Sequence, residues 1–330
     1  MRRRAKRIKR LLRIPVEWIG IGIGMATIPW LPRRALFGLC DVLAAVMYRL
    51  DGRGKRRALE NLHIIFRRCT GLEGTTAFKP GRAEYRPTRQ EEVIIRRSYR
   101  NMARSVGYAF WTCFRARQRC AETGTLDEAT RKFLAANRPA VTVSGHIGCW
   151  EILSQLAFLE GHRMMSVAKD IGTAGMTRLL MRARRSIGQE IVGADGAFKP
   201  LMQGLRDGKS LGLLVDQKVS PKKGGIWVRF MGKPMPVSAA PAFFAAKAKA
   251  PVIVAWSRPL KDGRYRCAFI RAYGPAEARD IWGLTQSIAA DLERVIRRHP
   301  SCWVLNYNYF RQEPTAEEVA ALEKRERETR

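Results

Sequence analysis

Acidic residues are scarce in this chain. Lys and Arg number 61 against 29 Asp and Glu, a formal net charge of +32 over 330 residues. Such an imbalance calls for a polyanionic partner, either nucleic acid or an anionic membrane with its phosphorylated lipids. Cysteine pairing is also missing. The seven cysteines stand at 40, 69, 113, 120, 149, 267 and 302 with no C-x-x-C among them, which argues against zinc and for free thiols in a reducing compartment. Residues 14–32 are largely apolar, but their uninterrupted part, Trp18–Ile28, is shorter than the roughly 20 residues of a spanning helix. No small-residue cleavage pattern follows it; Pro29-Trp30-Leu31-Pro32 stands there instead, so a signal peptide is not the reading. There is no internal repeat and no zinc-finger, RRM-type or basic-zipper pattern.

What is present begins with a basic run, Arg2 to Arg13, and the apolar stretch after it carries Trp18 and Trp30 near its ends. A second apolar-rich segment, Ala35–Leu50, is broken by Asp41. Together residues 1–50 read as a monotopic anchor, basic side toward the cytoplasm and Trp at the interface; a single spanning helix is the alternative. Gly20, Gly22 and Gly24 do not make a dinucleotide loop, because no strand precedes them and no acidic residue follows at the required distance. They suit close helix packing. Residues 51–138 read as helical, with amphipathic helices over Lys55–Phe66 and Glu91–Trp111 and a Gly/Thr/Pro-rich loop at 67–89 between them. His63 falls within the first of these helices, as packing or surface. From 139 to 310 short apolar runs (AVTVSG, RMMSVAK, QEIVGA, SLGLLVDQ, PVIVAWSRP, YRCAFIRAYG) alternate with helical segments. The fold class is therefore α/β, a mixed central sheet covered by helices behind an N-terminal hydrophobic anchoring segment. Residues 51–310 read as one structural domain and 311–330 as a charged helical tail.

The stretch Val141–Gln155, VTVSGHIGCWEILSQ, carries the best candidate chemistry. His146 and Glu151 are five positions apart, roughly 140° around a straight helix, so they cannot meet on one. They meet only if His146 sits in the Ser-Gly turn and Glu151 in the first helical turn. The carboxylate would then hold one ring nitrogen and leave the other to accept a substrate proton. Arg178, Arg182, Arg184 and Arg185 share the next helix, Met176–Gly188, and at least one facing the His146 turn would clamp a phosphate or carboxylate. Asp216 closes the strand SLGLLVDQ. The Gly-rich stretch from Gly224 to Pro234 covers an acyl chain or simply forms a β-hairpin.

SGHIGCWE, ARRSIG, LLVDQ, GIWVRFMGKP, APVIVAWSRP and TQSIAADLERVIRRHPSCW occur here in the order seen in the bacterial lipid A biosynthesis acyltransferases. These are late acyltransferases of the lysophospholipid-acyltransferase superfamily, and NLHIIF and SYRNMARSVGYAFW also resemble that family's N-terminal half. The resemblance implies transfer of a fatty acyl chain from an acyl-carrier-protein or coenzyme A thioester to a hydroxyl of an anionic glycolipid, a lipid A precursor. It implies a membrane enzyme on the cytoplasmic face of the bacterial inner membrane, with acyl carrier protein as partner, no metal, no resident cofactor and no nucleic acid. Carried over by motif, His146 and Glu151 correspond to the catalytic dyad, and Arg184 and Asp216 to the substrate-binding polar residues, with Arg185 the neighbour one register away. Cys149 lies between the dyad residues without a base of its own, so no acyl-enzyme is required. The chain departs from the family at Trp303–Phe310 (WVLNYNYF), where His-Arg-Arg-Phe is common. That departure leaves open an acyltransferase acting on another glycerolipid or glycolipid. The rival from another class is a basic nucleic-acid-binding protein.

Overall fold

The computed structural model describes residues 22–24, 27–66, 87–168 and 174–328. The basic run at 2–13, the apolar stretch through Gly20 and residues 67–86 of the expected loop lie outside them. Helices α1 (Arg33–Leu50), α2 (Gly52–Ile65) and α3 (Arg89–Trp111) come first, then α4 (Ala116–Thr123), strand β1 (Gly124–Leu126) and α5 (Glu128–Ala136). An alternating run follows: β2 (Val141–Ser144), α6 (Glu151–Leu159), β3 (Met164–Ala168), α7 (Ala174–Ser186), β4 (Glu190–Gly193), α8 (Phe198–Arg206) and β5 (Ser210–Leu214). The hairpin β6 (Gly225–Phe230) and β7 (Lys233–Ser238) precedes α9 (Ala240–Ala248), β8 (Val252–Pro259), β9 (Tyr265–Tyr273), α10 (Ile281–Arg298) and α11 (Ala316–Glu328).

Seven strands form one mixed sheet in the order β1-β9-β8-β2-β5-β3-β4, and β6 and β7 pair separately. From β8 across to β4 all neighbours are parallel; β9 runs antiparallel to β8, and β1 lies parallel to β9. The central strands are near-continuous apolar runs because helices cover both faces: Val141, Val143, Leu211, Val252 and Val254 have no exposed surface. This is the mixed α/β sheet expected from the alternation. Among the described strands of this sheet, β1, three residues at the edge, goes beyond those read from sequence. The chain leaves β2 for β3 and β4, then returns to insert β5 between β2 and β3. The carboxyl ends of β2 and β5 are therefore neighbours, the position where open α/β sheets place their sites.

Helix α3 couples the first helices to the sheet. Thr88 and Glu91 cap it reciprocally, a pairing that satisfies two orphan amides. Its Ile95 and Tyr99 share a hydrophobic cluster with α2 and with the strands. Helix α1 packs against it closely, because a side chain at Gly107 would collide with Cys40 Sγ. Asp41, expected to break the second apolar segment, does not interrupt α1. Arg104 of α3 binds it through two bonds of 2.6 and 2.7 Å, so the charge is neutralised within the packing. Among the described residues no helix is long and apolar enough to cross a membrane.

The loop from β2 to α6 is fastened on two sides. Ile147 bridges Trp303, Gly148 N–H donates to the Cys302 carbonyl at 2.8 Å, and Cys149 N–H donates to Ser257 Oγ at 2.7 Å. Gly148 has φ +67°, and a Cβ there would fall on the Ser257 carbonyl oxygen. Gly148→Ala is therefore expected to cost on the order of 2–4 kcal/mol through backbone strain and collision. That loss should appear as a melting temperature lower by roughly 3–6 °C in calorimetry.

Candidate functional site

Glycine and histidine follow β2 in a tight turn whose Ile147 N–H closes on the Gly145 carbonyl at 2.8 Å. That geometry is a γ-turn centred on His146. It aims the imidazole across the end of the sheet at the residue two beyond β5. His146 Nδ1 lies 2.8 Å from Asp216 Oδ1, and the His146 backbone N–H donates to Asp216 Oδ2 at 2.9 Å. Trp303 supplies a third donor, its Nε1–H reaching Oδ2 at 2.9 Å. The Asp216 carboxylate is fully enclosed, and these three donors satisfy it. With an ionised carboxylate on Nδ1, that nitrogen carries the proton and Nε2 is the free acceptor. Nε2 faces the Gln217 carboxamide at 3.5 Å, and the Trp150 ring packs on the imidazole at a centroid distance of 4.9 Å. The side chain keeps 21% of its surface exposed.

Glu151 does not orient the histidine. It begins α6, where a carboxylate suits the helix dipole, but its two oxygens are held by Arg184 Nε and Nη2 of α7 at 2.9 and 2.6 Å. Trp150 Nε1–H adds a bond at 3.1 Å. The expected His146–Glu151 contact is thus replaced by two separate pairs, His146–Asp216 and Glu151–Arg184. Arg184 thus uses Nε and Nη2 of its guanidinium on Glu151. Arg185, one register on, is exposed. His63 lies apart from all of these, 3.2 Å from Glu91.

Nothing in the chain's pattern marks Trp303 as a donor to Asp216. It lies 87 residues away in the segment that departs from the family pattern, and that segment backs the site. Tyr309 stacks on Trp303 at 3.9 Å between centroids, Ser98 Oγ–H donates to the Trp303 carbonyl at 2.5 Å, and Asn61 Nδ2 donates to the carbonyls of Leu305 and Tyr307. The only readable signal was an indole with one N–H that burial obliges to find an acceptor.

Burial works to lower the His146 pKa, but the Asp216 charge, its hydrogen bond and the field of Glu151 outweigh this and raise it above the ordinary 6.5. For Asp216 burial raises, while His146, Trp303 and the backbone donor lower, leaving the pKa below its usual value. The two directions agree with an ion pair when the imidazole is protonated. Cys149 is completely buried, and its thiol is pushed up to about 12, first by desolvation, which rules against a thiolate at neutral pH. The six described cysteines are all free and buried, and no cluster of metal-ligating side chains occurs among the described residues.

A base with a raised pKa must lose its proton before it can act. The acid limb of kcat/KM is therefore expected above 6.5, and Asp216→Asn should move it to lower pH while cutting kcat. Trp303→Phe keeps the ring but leaves Oδ2 one donor short, a loss of about 1–3 kcal/mol at a buried group. It should lower kcat roughly tenfold with KM nearly constant, as steady-state kinetics across pH will register.

No individual curated protein matches the chain. The family model described as bacterial lipid A biosynthesis acyltransferase matches residues 84–312, a span that holds His146, Glu151, Arg184, Asp216 and Trp303 as well as the whole seven-stranded sheet. The chain belongs to the bacterial lipid A biosynthesis acyltransferase family.

Proposed function

We propose that this acyltransferase moves a fatty acyl chain from an acyl-carrier-protein thioester to a hydroxyl of a lipid A precursor, at the cytoplasmic face of the bacterial inner membrane. The observation that carries the reading is a partly exposed imidazole whose Nδ1 is fixed by a buried carboxylate, which leaves Nε2 as its acceptor. Nε2 removes the proton of the acceptor hydroxyl as its oxygen attacks the thioester carbonyl. Asp216 holds the tautomer and stabilises the imidazolium formed in that step. Glu151, locked to Arg184, fixes the start of α6 and adds its field to that of Asp216. The thiolate of the carrier leaves when the tetrahedral intermediate collapses and takes up the proton from His146, so no acyl-enzyme forms.

The oxyanion needs donors not already engaged. The N–H groups of His146, Ile147, Gly148 and Cys149 all have acceptors inside the protein. This leaves the Trp150 and Glu151 amides, at the start of α6, to face the developing charge. Beside Gln217 stands Lys218, whose pKa is lowered by desolvation and then by the charge of Arg311. Two cations held near each other at this edge suit a phosphorylated acceptor. Residues 139–310 form the catalytic core in this reading, and no resident cofactor or metal enters the chemistry.

His146→Ala should reduce turnover by about 10²–10⁴-fold, the usual worth of one proton-transfer group, with the fold intact by circular dichroism. Mass spectrometry of lipid A from cells with and without the active protein is expected to differ by one acyl chain. Unchanged lipid A together with altered phospholipids would instead identify a glycerolipid acceptor. Parallel assays with carrier-protein and coenzyme A thioesters decide the donor.

A further inference from the structure

Helices α8 and α9 lie side by side on one face of the sheet, while α6 packs on the other. Between them a cleft of about 440 Å³ opens to solvent, lined by Phe198, Lys199, Met202, Gln203 and Arg206 of α8 and by Lys247 of α9. The α8 residues, at i, i+1, i+4, i+5 and i+8, form one face of that helix. Packing within the chain does not account for this face, since α8 already buries Leu201, Gly204 and Leu205. Phe198 is half exposed and meets the Phe243 ring edge-on at 5.6 Å. Lys199, Arg206 and Lys247 are exposed, and among the described residues no ion pair reaches any of them. The adjacent acid, Asp207, accepts instead from the Gln203 carboxamide at 2.8 Å. The cleft also lies close to the chemistry. Helix α8 starts beyond the carboxyl end of β4 and runs back to β5, so Phe198 stands at the sheet end that carries His146. Pro241, in the first turn of α9, lines the apolar space beside Asp216, and Phe243 of the same turn packs on Phe198.

We propose that the α8–α9 cleft is the surface on which the acyl donor's carrier protein docks, through an acidic helix with apolar residues on its contacting side. The proposal rests on the carrier-thioester reading of the donor and assigns that partner a place. Three cations without internal partners, set around apolar surface, are complementary to such a helix. A helix is about 10–12 Å across, so it lies on this cleft and inserts side chains rather than entering whole. Lys199 and Arg206 are seven residues apart, about 10 Å along the axis. One phosphate would draw on one or two of the cations, whereas acids on successive turns of a partner helix meet all three. A second copy of a chain of net charge +32 would bring like charge to the cleft and be repelled. A carrier protein keeps its body outside the active site and presents the thioester on a flexible arm. Docked here, its body rests along α8 and α9 while the arm passes the Phe198 end toward His146. Coenzyme A has no such body, so contacts along the cleft favour the carrier as donor.

The full chain is titrated against acyl carrier protein bearing a fluorophore on its phosphopantetheine thiol, with anisotropy as the readout, and assayed with a dodecanoyl carrier thioester. Lys199→Glu with Arg206→Glu, and separately Lys247→Glu, should each weaken carrier binding and raise KM for the carrier thioester, the double change by about tenfold or more, with kcat nearly constant. Lys132→Glu makes the same kind of charge change on α5, at the other edge of the sheet, and is expected to leave both quantities alone. Carbodiimide coupling of the native chain to the carrier, which joins carboxylates to lysine amines and needs no variant, should map by mass spectrometry to Lys199 and Lys247. A carrier that binds and reacts with the native chain but is indifferent to the cleft variants overturns the docking site alone. Equal weakening by Lys132→Glu overturns it by reducing the effect to net charge, and coupling confined to lysines elsewhere overturns it by moving the dock. A native chain that uses dodecanoyl coenzyme A and neither binds nor uses the carrier overturns the donor reading, and the docking site with it.

Discussion

A carboxylate with no solvent contact sets the terms for this protein. Asp216 is enclosed at the end of β5 and accepts from His146 Nδ1, the His146 backbone and Trp303 Nε1. A buried charge of this kind is tolerated only when its lone pairs are filled, and removing one donor leaves the whole desolvation cost exposed. The three donors come from the β2 turn and the segment after α10, so the carboxylate ties three remote parts of the chain together. Sheet order makes this possible. Had β5 stayed at the edge beyond β4 instead of inserting beside β2, His146 and Asp216 would be several strand spacings of about 4.8 Å apart.

The segment at 303–310 takes its meaning from this arrangement. Where the family often carries basic groups, this chain places an aromatic stack of Trp303, Tyr309 and Phe310 with Phe230 beside it. The aromatic bodies fill the space behind Asp216 while the one indole N–H that matters points at the carboxylate. Ser98 and Asn61, from α3 and α2, hold the carbonyls of the same segment. The first helices therefore act on the site at one remove, by keeping Trp303 where it can donate.

Much of this was legible in the sequence, and the limits of legibility are physical. The parallel strands announced themselves because both of their faces are buried, which forces apolar runs. His146 announced itself because a strand, a glycine turn and a helix start confine its position. Which carboxylate would serve it did not, since a spacing of five residues speaks only of local geometry, whereas Asp216 arrives from 70 residues away through strand order. Asp41 misled for a related reason: an acid within an apolar run reads as a break until its partner on α3 is known. Trp303 was hidden in a segment whose interest lay in what it lacked.

The separation of the two carboxylates has a consequence for the base. Were Glu151 unpaired, His146 would face two nearby negative charges in a poorly hydrated site, and its proton would be held far more tightly. Arg184 offsets part of that second charge, its positive field lowering the histidine pKa by less than Glu151 raises it. What remains is the pull of Asp216 with a smaller part from Glu151, and together they raise the pKa. A general base works best when its pKa lies near the working pH. On this view the Arg184–Glu151 pair touches no reacting atom and contributes by limiting how much Glu151 adds to the field of Asp216 at His146.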